Sequence, residues 1–405
     1  MYRRRELPNL YALAGGGALF ADFDVDGEVT AQGHQWTTAA SDSDFVQRTW
    51  PAYYSDRGLV QNPGWTGPQA DADTAHGNVP LGFDNPYGDY EDLSKLGAWS
   101  NPWISYPAGR FLFDDLAAHG VSFEDFGEFI SRTEGGDVVP NVLAHTDTTF
   151  PGWNRFLLDT DRARLATRWI DAHRNGFPRF LYIWLPDDHT AGGAPCYYTP
   201  DYYVADNDAA TGRIVAALSR LPVWRHMAVF ITEDDAQSGA DHIDAHRSFL
   251  VAAGPWIKSG TVETAPYSQV DMLRTAEAIL GIPPLSQWDA NARVIDGIWR
   301  ATPNDAPIAA RPMEVARAVN PGSCSRYTRL RRKAGEHGQI LTRASIAAQA
   351  YTPTSLLKVA GPEQLRQEWI ATHGLASYLR LQAYLARLAA RRHAPLDAFI
   401  ANEGD

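Results

Sequence analysis

The chain is poor in three things that would narrow its class at once. It has 2 cysteines in 405 residues, Cys196 and Cys324, too few for a disulfide framework or a four-cysteine zinc site. One bridge between them stays open, with two unlinked thiols the plainer reading. It lacks a surplus of positive charge: 36 Lys and Arg stand against 48 Asp and Glu, a net charge of −12. A general nucleic-acid binder needs a basic surface to neutralise phosphates, so that class is set aside. It also lacks a long apolar run. The longest near the middle, Phe180–Leu185, falls far short of the roughly 20 residues of a membrane helix. Arg3, Arg4 and Arg5 before the apolar stretch Leu10–Phe20 loosely imitate a secretory signal, but Glu6, Pro8, Asn9 and three consecutive glycines interrupt it.

What is present is a globular, enzyme-sized composition, 44% hydrophobic and 21% charged, sufficient for one large core or two moderate ones. Up to about residue 108, turn signals such as Asn62-Pro63-Gly64 and Asn85-Pro86-Tyr87-Gly88 indicate long loops around short helices. Further on, apolar runs alternate with helical patterns. A helix around Leu112–Ala117 leads into a short strand at Val121-Ser122-Phe123. A helix over Arg162–Asn175 precedes a strand at Phe180–Leu185, and a helix over Asp201–Leu221 precedes one at His226–Thr232. A strand at Ser248–Ala253 is followed by a helix over Gln269–Leu280. Unbroken apolar strands separated by helices predict an α/β fold: a three-layer sandwich with a mostly parallel central sheet. The pattern changes after about Trp288, and Pro362–Ala394 carries Leu, Ala and Arg at helical spacing. The predicted organisation is a catalytic-type domain over 1–290 and a mostly helical extension over 291–405.

Three acidic clusters follow strand ends: Pro186-Asp187-Asp188-His189-Thr190, Thr232-Glu233-Asp234-Asp235 and Asp241-His242-Ile243-Asp244-Ala245-His246. Taken singly, each is as well explained by a solvated loop or a helix cap. Together they fall within about 60 residues, at the strand ends where open sheets bind ligands. Carboxylates and imidazoles massed there suit a divalent cation with oxygen and nitrogen ligands. Asp206 and Asp208 are read as caps or supporting partners, and His145 and Asp147 as either pocket lining or plain loop. Near the start, Asp26-Gly27-Glu28-Val29-Thr30 leads into a helix running through Trp36 to Ala40. Thr30 is then either a helix cap or a hydroxyl placed for phosphate chemistry beside free backbone N–H groups. His34, a turn later, either reaches a phosphate oxygen or lies on the helix surface.

The strings Asp26-Gly-Glu-Val-Thr-Ala-Gln-Gly-His-Gln-Trp36, Tyr182-Ile-Trp-Leu-Pro-Asp-Asp-His-Thr-Ala-Gly192, Ala205-Asp-Asn-Asp208, Thr232–Arg247 and Gly254-Pro255 resemble the bacterial phosphoesterase family. That family contains phospholipase C and acid phosphatase enzymes and lies in the alkaline phosphatase superfamily. The resemblance runs from about Leu7 to Asp289. It implies an alkaline phosphatase-like fold and metal-dependent hydrolysis of phosphoric esters through a phosphothreonine intermediate. Thr30 takes the nucleophile's place, and His34 is grouped with it. Asp234 and Asp235 take metal-binding places, His246 or the nearby His242 that of the last metal-binding histidine, and Asp188 and His189 that of a second metal or the phosphate; Asp241 and, from its loop position alone, His145 are the candidate substrate residues. The implied cofactor is a divalent ion, Zn, Mn or Ca, and the implied substrate a small-molecule or lipid phosphate ester. Relatives carry a strand and a Glu-Asn pair ahead of the segment equivalent to Leu7–Leu13. On that comparison the chain is expected to lack these ligands, and a catalytically impaired protein that binds phospho-ligands or a partner is the competing reading. A sulfatase is disfavoured, because no Cys/Ser-x-Pro-x-Arg string occurs.

Overall fold

The computed structural model describes residues 5–28, 30–42, 47, 107, 110–128, 145–147, 150, 156–236, 244, 246–325, 327–328 and 331. Asp241, His242 and the helical tail expected over Pro362–Ala394 lie outside the described residues. In chain order the elements are α1 (Pro8–Gly16), β1 (Ala18–Asp24), α2 (Thr30–Ala39), α3 (Leu112–Ala118), β2 (Phe123–Phe126), α4 (Asp159–Ala172) and β3 (Phe180–Ile183). They continue with α5 (Pro200–Leu218), β4 (Val229–Thr232), β5 (Arg247–Ala253), β6 (Thr261–Glu263), β7 (Tyr267–Ser268), α6 (Gln269–Leu280) and α7 (Gln287–Asn291). Two short 3-10 turns, Pro186–His189 and Pro222–His226, follow β3 and α5.

The main sheet has the order β4-β5-β1-β6, with β7 also on β1, and it is mixed. Strand β5 runs antiparallel to both β4 and β1, while β6 and β7 run parallel to β1. This corrects the mostly parallel sheet expected from the sequence. Unbroken apolarity in Ser248–Ala253 reports burial on both faces, a requirement that an antiparallel strand in a covered sheet meets equally well. A second, two-stranded ladder pairs β2 with β3 in parallel across α4.

Alternation along β5 divides the core. Val251 and Ala253 pack with Leu13 of α1 and Val215 of α5 on one face. Leu250 and Ala252 pack with Phe20, Phe23, Ile257, Tyr267, Ile295 and Ile298 on the other. Phe20 and Phe23 are three apart and would point to opposite faces of a regular strand. The register shifts between them, with Phe20 opposite Leu250 and Phe23 opposite Ser248. That extra residue is a β-bulge, and it returns Phe23 to the same face as Phe20.

Buried carboxylates tie the helices to this frame. Asp208 on α5 accepts the backbone N–H groups of Asn9 and Leu10 at 2.9 and 2.8 Å, which leave α1's first turn without helical partners. Asp206 does the same for α4, accepting Thr160 N–H and Oγ1 at 2.9 and 2.8 Å. Both residues therefore cap helices, but helices other than their own.

Residues beyond α7 return along the domain. Asn320 exchanges backbone hydrogen bonds with Cys196 and Tyr197, and its side-chain amide donates to Gly192 O and Ala194 O at 2.7 and 3.0 Å. Cys196 and Cys324 are joined in a disulfide across 128 residues, with Cα atoms 5.5 Å apart. The plainer reading of two unlinked thiols is thus corrected. Their separation in sequence concealed a neighbourhood created by the returning strand-like pairing of Tyr198 with Val319.

One buried pair makes stability depend on pH. Glu277 of α6 is fully buried beside Asp289 of α7; among the described residues its Oε1 has no hydrogen-bond partner, while Oε2 accepts Arg274 at 3.3 Å. Burial first, and then the hydrogen bond and like charge of Asp289, push the Glu277 carboxyl from 4.5 up to about 8. Glu277 therefore carries the proton shared with Asp289. Because its folded value lies above its unfolded one, this contribution is complete below about pH 4.5 and is lost as pH rises through about 8. Urea unfolding at pH 5 and pH 8 is expected to show a fall of about 1–3 kcal/mol, allowing for solvent screening. Glu277→Gln, which keeps an N–H donor for Asp289, is expected to flatten that slope; an unchanged slope would refute the assignment.

Candidate active site

Strand β1 and strand β4 are each antiparallel to the β5 strand between them, so they are parallel to each other and end at the same sheet edge. Helix α2 begins just beyond the end of β1, and the acidic loop Glu233-Asp234-Asp235 begins at the end of β4. Residues four apart share one helix face. On α2 those residues are Thr30 and His34, and they meet two successive carboxylates of the loop. Thr30 Oγ1 donates to Asp235 Oδ2 at 2.7 Å. His34 Nε2 lies 3.4 Å from Asp234 Oδ2.

That register requires the helix backbone to press against the loop, and Gly33 allows it. A Cβ built on Gly33 would lie 1.7 Å from the carbonyl oxygen of Asp234. From the opposite side, fully buried Gln269 donates its amide to Glu233 O and Asp234 O at 3.1 and 2.7 Å. Its Oε1 accepts Asp26 N–H at 3.0 Å, so one side chain fastens the end of β1 to the end of β4.

His34 is 5% exposed, which sets aside a helix-surface position. Its Nδ1 lies 2.8 Å from Glu128 Oε1, just beyond the end of β2, and the Trp184 ring stands nearly perpendicular to the imidazole with centroids 5.1 Å apart. Burial alone would lower the imidazole's pKa. Glu128, Asp234 and Asp235 outweigh it and raise the value to about 9, so His34 is a buried cation at neutral pH.

The Asp187-Asp188 pair divides its work. Asp187 and Asp159 exchange reciprocal hydrogen bonds at 2.8 Å at the start of α4, with Arg162 3.0 Å from Asp159. Asp188 turns the other way, towards Glu233. Burial first, and then the Glu233 charge, hold the Asp188 carboxyl well above its usual range, and Glu233 is raised as well by burial. The two acids face each other in a site short of positive charge. Asn207 Nδ2 donates to Leu185 O, Asp159 Oδ2 and Asp188 Oδ1 at 2.9, 3.1 and 3.3 Å, linking the two halves.

The structure therefore brings together Thr30, His34, Asp234, Asp235 and Asp188. His189 sits on the turn beside Asp188, with Nδ1 3.1 Å from Thr190 O. His246 immediately precedes β5, and its backbone oxygen accepts Val25 N–H at 2.8 Å. His145 lies against the Phe123 ring at 4.0 Å, and its carbonyl accepts Asp125 N–H. No described contact brings His246 or His145 to Thr30. Glu128 and Gln269 are participants that motif reading passed over, and Glu233 was read only as part of its acidic cluster. For Glu128 the expected strand stopped at Phe123, three residues short of the end of β2, so its place at a strand end was hidden.

The donor set is oxygen and imidazole, and its carboxylates outnumber His34, the one cation described among them. Its chemistry and charge deficit fit a divalent metal. Among the described residues, no three His, Cys, Asp or Glu side chains close into a metal-holding group; Asp241 and His242 lie outside that set.

Comparison with known proteins adds the ancestry. No curated protein matches the chain. Solved structures similar to it include a protein in the alkaline phosphatase superfamily from Vibrio parahaemolyticus, with 14% identity and a TM-score of 0.43 over 71% of this chain and 63% of that one. A phosphonate monoester hydrolase from Silicibacter pomeroyi matches with 14% identity and a TM-score of 0.32 over 72% of this chain and 71% of that one. The chain thus spans less than two thirds of the Vibrio protein. The family model described as "Phosphoesterase family" matches residues 1–283, most of the 405, and the chain belongs to the Phosphoesterase family.

Proposed function

We propose that this chain is a metal-dependent phosphoric ester hydrolase that works through a phosphothreonine at Thr30. The observation that carries the reading is the Thr30 hydroxyl, in the first turn of α2 and 2.7 Å from Asp235 Oδ2. Asp235 holds the hydroxyl proton, leaving the Oγ1 lone pairs for in-line attack on phosphorus. The first-turn N–H groups and positive end of α2 receive the phosphoryl oxygens. The Thr30 oxygen bonds to phosphorus as the ester alkoxide leaves, and attack by water then releases phosphate and restores the hydroxyl. Cationic His34 holds Asp234 from beneath. Asp234, Asp235, Asp188 and His189, with His246, Asp241 and His242, would hold Zn, Mn or Ca. When bound, such an ion supplies positive charge for the phosphoryl oxygens and polarises phosphorus. Substrates in this reading are small-molecule or lipid phosphate esters, the second a phospholipase C-like specificity.

The test is turnover of p-nitrophenyl phosphate and bis-p-nitrophenyl phosphate with Mn²⁺, Zn²⁺ or Ca²⁺ added. Metal-stimulated turnover that a chelator abolishes is expected. A folded chain inert with all three ions would overturn the reading.

A further inference from the structure

Behind the site, Glu128 is a buried carboxylate paired with His34. Its side chain is 1% exposed and just past β2. Oε1 lies 2.8 Å from His34 Nδ1, whereas Oε2 is buried with no hydrogen-bond partner among the described residues. A buried carboxylate oxygen left bare is costly, and the neighbouring carboxyl of Asp125 adds to the cost instead of relieving it: burial and then the Glu128 charge hold Asp125 well above its usual range. The geometry shows what is obtained in return. An imidazole has two ring nitrogens on opposite sides, so fixing one aims the other. With Nδ1 on Glu128 and the Trp184 ring nearly perpendicular beside the imidazole, Nε2 lies on the side of Asp234, 3.4 Å from its Oδ2. Asp234 is thereby held beside Asp235 and Thr30.

We propose that Glu128 is the positioning residue of this site: it sets the His34 ring so that Nε2 orients the Asp234 carboxylate next to Thr30. The proposal rests on the hydrolase reading above, and Glu128 itself touches no substrate. It acts as the outer carboxylate of a carboxylate–imidazole–carboxylate series, the kind of supporting contact that aligns reacting groups.

The experiment compares the full chain with Glu128→Ala and Glu128→Gln, each checked for folding by circular dichroism. Glutamine keeps an acceptor oxygen for Nδ1–H and so keeps the alignment. Glu128→Ala is expected to lower kcat by about 10–100-fold with KM within about twofold, and Glu128→Gln to recover to within about fivefold of the parent. The second measurement is the hydrogen-bonded His34 Nδ1–H proton resonance, identified by its absence in His34→Asn. It is expected in the parent and in Glu128→Gln, and absent from Glu128→Ala. Survival of the resonance in Glu128→Ala, its loss from Glu128→Gln, or equal kcat losses in both variants would overturn the proposal. A parent chain without turnover would defeat the hydrolase reading alone, and the resonance would still decide the role of Glu128. Should Glu128→Ala not fold, the resonance in Glu128→Gln decides.

Discussion

Thr30→Ala is expected to lower turnover of p-nitrophenyl phosphate by about 10³-fold or more, the scale seen when a covalent nucleophile is removed and only binding and electrostatic stabilisation remain. The fold should survive. Thr30 is only half-buried and its side chain makes one described hydrogen bond, to Asp235, so the loss of stability is expected to stay near 1 kcal/mol. Thr30→Ser, which retains the hydroxyl at the same place on α2, should keep most of the rate. A Thr30→Ala chain that matches the parent in kcat would remove the nucleophile from the mechanism. A serine variant as inactive as the alanine would point to packing of the threonine methyl instead of its oxygen.

The second large effect is expected from the smallest possible addition, Gly33→Ala. Alanine is the better helix former, by about 1 kcal/mol, and on an open helix face it would stabilise. Here the new methyl carbon would meet the Asp234 carbonyl oxygen at 1.7 Å and its carbonyl carbon at 2.4 Å. These are backbone atoms on a loop that Gln269 clamps from behind, so neither side can yield cheaply. The helix must retreat by an ångström or more. A net destabilisation of about 1–3 kcal/mol follows from overpacking, and a misplacement of that size at a reacting centre costs about 10²-fold in rate. Thermal unfolding and the phosphatase assay read the two effects separately. Unchanged stability together with unchanged kcat would show that α2 and the loop do not need their close approach.

Much of the frame was legible because burial and capping leave local marks. Helix α6 begins and ends at Gln269 and Leu280, as its pattern indicates: Ser268 and Asp271 form its capping box, and Gly281 takes the left-handed conformation at its end. Strand β1 was harder to see. The stretch Leu10–Phe20 reads as one apolar segment, but it divides at Gly16 and Gly17 into a helix and a strand, and the bulge before Phe23 hides the strand's alternation. Strand direction was not legible, since burial on two faces does not encode it. At the site, the strand-end rule located the acidic pairs, yet it could not say that Asp187 would turn to cap α4 while Asp188 turned to Glu233. That choice depends on where the start of α4 comes to rest. The ties from His34 to Glu128 and from Gln269 to Asp234 join residues 94 and 35 apart, and no local pattern announces them.

The bond between Cys196 and Cys324 changes the connectivity of the molecule as well as its contacts. The chain from one sulfur to the other is a covalent ring that includes α5, β4, β5 and α6, and with them the whole acidic loop from Glu233 to Asp235. The first 195 residues, Thr30 and His34 among them, are a tail attached to that ring. A single proteolytic cut inside the ring therefore opens it without releasing a fragment. The carboxylates and the hydroxyl they face remain on one covalent body until a thiol reductant separates the pieces.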